Sequence, residues 1–129
     1  MASTGNSQDF GDLSVTKFQN VSVSNATRGV IFGGRTQPNG DSNNVIDFIT
    51  IATLGNATDF GDDSGHVTTA GVSSPTRGVK LGGRTSPADV NIIEYVVIAT
   101  AGDAIDFGDL TTPCNNHSTG GASNGHGGL

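Results

Sequence analysis

The chain has 129 residues and a net charge of −6, with twelve acidic side chains against six basic ones, so a polyanion would meet net repulsion and nucleic-acid binding is not expected. Only 33% of the residues are hydrophobic, Trp is absent, and Glu94 is the single Glu, which excludes a conventional helical domain. Val, Ile, Thr and Phe carry the apolar content, 20 Gly supply turns, and the length suits one small all-β domain.

Residues 1–20 read as a partial unit. Met1 to Asp9 carry no positive charge and no apolar run, so no signal peptide is expected, and no stretch of the chain reaches the roughly 20 apolar residues that cross a bilayer. A soluble product made in a cytoplasm is the expectation. The segment carries Asp9-Phe10-Gly11-Asp12, and that tetrapeptide returns at 59–62 and 106–109, spaced 50 and 47 residues apart. Unit 21–66 and unit 67–112 repeat further words in one order. Thr-Arg-Gly-Val stands at 27–30 and 76–79, and Gly-Gly-Arg-Thr at 33–36 and 82–85. Asn44-Val45-Ile46-Asp47-Phe48 answers Asn91-Ile92-Ile93-Glu94-Tyr95, and Ile51-Ala52-Thr53 answers Ile98-Ala99-Thr100. A period of this size falls in the range of propeller blades.

Each unit predicts four short strands. In the second these are 67–73, closed by Ser74-Pro75; 77–81, ending at Gly82-Gly83; 92–100, after a polar loop; and 104–107, ended by Gly108-Asp109. Residues 113–129 form a last partial unit and Gly-rich tail, matching a first strand and the stump of a second, with Gly125-His126-Gly127-Gly128 in place of Thr-Arg-Gly-Val.

This order of strand, apolar strand ending in Gly-Gly, polar loop, aromatic strand and aromatic-led last strand resembles kelch repeats. Phe10, Phe60 and Phe107 stand where kelch blades usually carry Trp, and Phe48 and Tyr95 where they usually carry Tyr. The resemblance implies a β-propeller of four-stranded antiparallel blades. Two complete units are too few for one, so the ring is expected to be completed by a homo-oligomer in which one chain's N-terminal strand fills another's C-terminal partial blade. A trimer is favoured over a dimer. The runs TRGVIFGG, NVIDFITIATLGNATDFGD and ASNGHGGL are also similar to repeats in virion structural proteins of tailed phages, especially marine cyanophages. That likeness implies a place in the virion, with other virion proteins as partners.

The candidate sites have structural readings beside functional ones. Asp9, Asp12, Asp59, Asp62, Asp63, Asp106 and Asp109 could contribute to Ca²⁺ sites, but the spacing lacks a ladder of oxygen ligands, and turn-capping with Arg pairing is preferred. Arg28, Arg77, Arg35 and Arg84 could grip a carboxylate or phosphate, and are expected instead to bridge to the repeated Asp of neighbouring units. Gly33-Gly34 and Gly82-Gly83 lack the lysine and helix of a phosphate loop. His66, His117 and His126 show no zinc spacing, and the lone Cys114 has no partner for an internal disulfide. Phe10, Phe60 and Phe107 are expected as core between units, and Phe18 as an exposed contact residue.

No nucleophile, acid–base pair, cofactor motif or metal motif stands out, so the expected protein is non-enzymatic: a phage virion structural protein, decorating a capsid or forming part of a tail or fibre. The alternative is a carbohydrate-binding adhesin that recognises host surface glycans through the variable loops 37–43 and 86–90.

Overall fold

Val21 and Val23 alternate with Ser22 and Ser24, a period of two that turns one strand face to a core and the other outward. In the computed structural model, which describes residues 5–115, every regular element is a strand. The first half of the chain contributes β1 (Lys17–Phe18), β2 (Val21–Ser24), β3 (Arg28–Phe32), β4 (Gly34–Thr36), β5 (Ser42–Asn43), β6 (Val45–Thr50) and β7 (Thr58–Asp62). The second half contributes β8 (Ala70–Ser73), β9 (Arg77–Leu81), β10 (Arg84–Thr85), β11 (Ala88–Asp89), β12 (Ile92–Val97) and β13 (Ile105–Asp109).

These strands make four antiparallel sheets, none closed on itself. The two principal ones are four-stranded meanders, β2-β3-β6-β7 and β8-β9-β12-β13, and the smaller ones are β1-β4-β5 and β10-β11. The repeat in the sequence is thus a repeat in space, with Val30 opposite Phe48 in the first meander and Val79 opposite Tyr95 in the second.

Four sequence expectations shift. The first strand of the second unit is expected over 67–73, but Thr68 has φ 56, so Val67 forms only an isolated bridge to Arg84 and the strand starts at Ala70. Gln19, with φ 54, makes the same break in the first unit. The strand expected over 92–100 ends at Val97. The strand expected over 104–107 runs on to Asp109, because Gly108 continues the pairing at φ 136 instead of ending it. The polar loops 37–43 and 86–90 include β5 and β11, which close the two small sheets.

The Asp-Phe-Gly-Asp at 59–62, and again at 106–109, is a β-bulge. Asp47 pairs with Asp59 and Ile46 with Gly61, which leaves Phe60 as the extra residue; Phe107 holds the same place between Asp106 and Gly108. A bulge of this kind re-aims a side chain. Phe60 accordingly meets Phe48 edge to face at 5.9 Å, and Phe107 meets Tyr95 the same way at 5.8 Å.

The core lies between the two meanders. Val23, Val30, Phe32, Ile46 and Phe60 of the first pack with Val96 and Ile98 of the second. Two glycines allow the close approach. A Cβ on Gly71 would come 2.7 Å from Val21 Cγ2, and one on Gly78 would overlap Val23 Cγ2. Burying an Ile, Val or Phe side chain contributes about 1.5–3 kcal/mol, so this shared core is what fixes one sheet on the other.

Candidate functional site

An acidic residue in the middle of an apolar strand needs a partner if it faces inward, since an isolated buried charge is strongly disfavoured. Asp47 in β6 and Glu94 in β12 are in that position. The Lys17 ammonium from β1 lies 2.8 Å from Asp47 Oδ2, with both side chains fully buried, and donates its hydrogen bond to the Val45 carbonyl at 3.0 Å. Asp47 is therefore held by charge, and both its oxygens lack a hydrogen-bond partner. At the equivalent place in the second unit, His66 Nε2 lies 3.1 Å from Glu94 Oε2.

The second unit adds an ion pair that the first does not have. Lys80 in β9 donates to Asp63 Oδ2 at 2.8 Å and lies 3.8 Å from Glu94 Oε2. The Ser64 N–H donates to Glu94 Oε1 at 3.1 Å, and the Gly65 N–H to Asp63 Oδ1 at 2.6 Å. Burial pushes the Lys80 ammonium below its usual pKa, against the opposing pull of Asp63 and Glu94. Burial pushes Glu94 the other way, but the His66 hydrogen bond, the Lys80 charge and the Ser64 N–H together outweigh it and hold the carboxyl below its ordinary value. Asp63 follows β7 of the first sheet and Lys80 belongs to the second, so this cluster pins one unit to the next.

Sequence reasoning did not find this cluster. The signal available was a substitution inside the repeat: Lys80 stands where the first unit has Ile31, and Asp63 where residues 9–13 and 106–110 have Leu13 and Leu110. Two positions changing together from apolar to oppositely charged point to a contact.

The acidic residues cap their own turns, two of which are the bulges. Gly11, Gly61 and Gly108 each donate their N–H to the Asp two residues before, Asp9, Asp59 and Asp106, at 3.0–3.2 Å. Among the described residues no group of three His, Cys, Asp or Glu side chains is arranged to hold a metal ion.

The arginines do not bridge to these Asp residues. Arg28 donates to the Ile98 and Ala99 carbonyls at 3.1 and 2.9 Å and stacks 4.7 Å over Phe48; Arg77 stacks 4.9 Å over Tyr95. Arg35 donates to the Gly40 carbonyl and Arg84 to the Pro87 carbonyl, each closing its small hairpin arm. The meander sets Arg28 and Arg77 beside the aromatic of the neighbouring strand, where the planar guanidinium has a ring face, and Arg28 also reaches the carbonyls of the second unit.

The three motif phenylalanines differ from the common role expected of them. Phe60 is 3% exposed in the core, Phe10 is partly buried, and Phe107 is 56% exposed. Phe18 is exposed, in β1. Cys114 is partly buried, its carbonyl accepting from the Gly83 N–H at 2.8 Å. His117, His126 and the tail beyond residue 115 lie outside the described residues.

The bulge also joins one unit to the turn of the next. The Gly102 and Ala104 N–H groups donate to the Phe60 and Asp62 carbonyls at 2.7 and 2.8 Å, and the Asp62 N–H donates to Asp103 Oδ1 at 3.0 Å. Residues 9–12 repeat this junction on the first sheet. There Gly55 and Ala57 donate to the Phe10 and Asp12 carbonyls at 2.9 and 2.8 Å, and the Asp12 N–H donates to Asn56 Oδ1 at 3.0 Å. The N-terminal partial unit, expected to fill a gap in another copy, is docked on its own chain. Its backbone at Gly11 leaves no room for a side chain, because a Cβ would land on the Gly55 carbonyl.

No known protein family matches the chain, and no curated protein matches it as a relative.

Proposed function

We propose that this chain is a non-enzymatic structural component of a tailed-phage virion, built from kelch-like propeller blades and completed into a ring by further copies of itself. The similarity of the runs TRGVIFGG, NVIDFITIATLGNATDFGD and ASNGHGGL to repeats of tailed-phage virion proteins is what suggests the location. The observation that carries the structural role is the recurring junction: the same hydrogen bonds from a turn join residues 9–12 to the first sheet and residues 59–62 to the second. Buried ionisable groups serve that architecture, since Lys17, Asp47, Asp63, His66, Lys80 and Glu94 lie within or between the units and contact one another at 2.8–3.8 Å.

On this reading each four-stranded meander is one blade, and three copies supply six. The protein decorates a capsid or forms part of a tail or fibre. Mass spectrometry of purified particles tests it: the chain is expected among the virion proteins, in tens to hundreds of copies for a decoration and in few for a fibre. Its absence from intact particles of a phage that expresses it would overturn the virion reading.

A further inference from the structure

The outer faces of the two sheets are repeat-equivalents of faces that are buried inside the molecule. Phe107, 56% exposed, matches Phe60 at 3%; Ile51, 45% exposed, matches Ile98 at 0%. One open face therefore belongs to the type that presents a bulge, and the other to the type that receives one.

Their side chains are matched to each other and mismatched to the internal junction. Inside the chain, Asp63 meets Lys80. The equivalent positions on the open faces are Leu110 and Ile31, both apolar. Inside, Val21 fits against Gly71, where no Cβ has room. Their repeat-equivalents are Ala70, itself 7% exposed, and Ser22, which is exposed: one side chain is smaller and the other larger, so volume has moved across the junction. The bulge segments agree with this division. Residues 9–13 and 106–110 are the identical pentapeptide Asp-Phe-Gly-Asp-Leu, whereas the internal copy, 59–63, ends in Asp.

We infer that copies of this chain bind head to tail, the outer face of one second sheet on the outer face of the next first sheet, with residues 106–110 of one copy displacing residues 9–13 of the other from the turn at Gly55 and Ala57. This deepens the proposed structural role by naming the surface through which the chain meets itself. The interface is heterologous, so it closes into a ring or grows as a filament according to its rotation. The chain's own residues 9–13 are a stopper. Tethered beside the seat, they compete at high effective concentration and hold back association of dilute protein.

Sedimentation velocity of the full-length chain over a concentration series tests this, with circular dichroism confirming a β spectrum for each variant. Wild type is expected to associate as concentration rises. Gly11→Val, whose side chain meets the Gly55 carbonyl, frees the seat and is expected to shift association to a concentration at least about ten-fold lower. Phe10→Asp serves the same purpose through a different residue. Phe107→Asp changes an exposed side chain and is expected to remain monomeric, alone or combined with Gly11→Val. Association of Phe107→Asp equal to wild type would overturn the proposal. So would monomeric behaviour of wild type and of both released variants at every concentration, which would mean that another segment or partner covers the Phe107 face. Particle composition is read separately, so either the virion location or this interface can fail without the other.

Discussion

The two meanders share a strand order, a bulge and an aromatic pair, yet the same face is closed in one and open in the other. Val30 and Ile46 of the first sheet are fully buried by the second, while their equivalents Val79 and Ile93 are only partly covered. The strands are alike because local pattern and turn chemistry are alike. Burial differs because the first sheet packs against the second, whereas among the described residues no sheet packs on the outer face of the second. Where a unit follows, the pair is Asp63 with Lys80; on the open faces it is Leu110 and Ile31. The charged pair thus marks the internal junction, and the apolar pair marks the surfaces through which copies are proposed to meet.

The largest effect that would sharpen this comparison lies in the buried pair. Asp63→Leu removes the hydrogen-bonded partner of Lys80 and leaves it only Glu94 at 3.8 Å, and is expected to cost about 3–5 kcal/mol of stability in urea unfolding, with most of the loss restored by adding Lys80→Ile. A double variant as unstable as the single one would break the account of the pair. Next come the equivalent phenylalanines. Phe60→Ala is expected to cost about 3–5 kcal/mol, and Phe107→Ala to stay within about 0.5 kcal/mol of wild type for the monomer. Equal losses would show that both faces are covered.

A smaller effect separates the glycines. Gly78→Val drives a side chain into Val23 and is expected to lower stability by about 1–3 kcal/mol. At the equivalent Gly29 the nearest atoms to a new Cβ belong to Ile49 at 3.2 Å, a side chain on a partly open face, so Gly29→Val is expected to cost less. The same denaturation experiment reads both.

The smallest is a pH dependence. Glu94 is held below its ordinary value of 4.5 in the folded chain, so its contribution is complete above that pH and is lost as pH falls through the folded value. Thermal melting followed from pH 7 to pH 3 is expected to show a stability loss that Glu94→Gln reduces.

Much of the fold was legible in the sequence. The strand expected over 77–81 is the observed β9, Arg77–Leu81, because Ser74-Pro75 and Gly82-Gly83 bound it with turn chemistry that acts locally. Gly108 misled for an equally local reason: a glycine that ends a strand and one that carries a bulge look alike until the partner strand is known. The arginines were misassigned because counting Asp residues ignores which strand neighbour a guanidinium faces. The buried cluster was the least legible part. His66 and Glu94 lie 28 residues apart, and Lys80 and Asp63 sit on different sheets, so only the fold brings them together. The trace in the sequence was the exchange of Ile31 for Lys80 between otherwise matching words.

The most direct test of the junction account is a double-mutant cycle on self-association. Leu110→Asp and Ile31→Lys, each alone, place a charge opposite an apolar residue and are expected to abolish association in sedimentation velocity. In an equimolar mixture of the two, alternating copies meet through an Asp–Lys pair and a Leu–Ile pair in turn, so a filament or even-membered ring is expected to recover and a trimer to keep one mismatched junction; the double variant recreates the Asp63–Lys80 type of pair at each junction and is expected to recover association with added salt dependence. Single variants that associate like wild type, or a double variant no better than the worse single, would contradict the claim that Leu110 and Ile31 meet across copies.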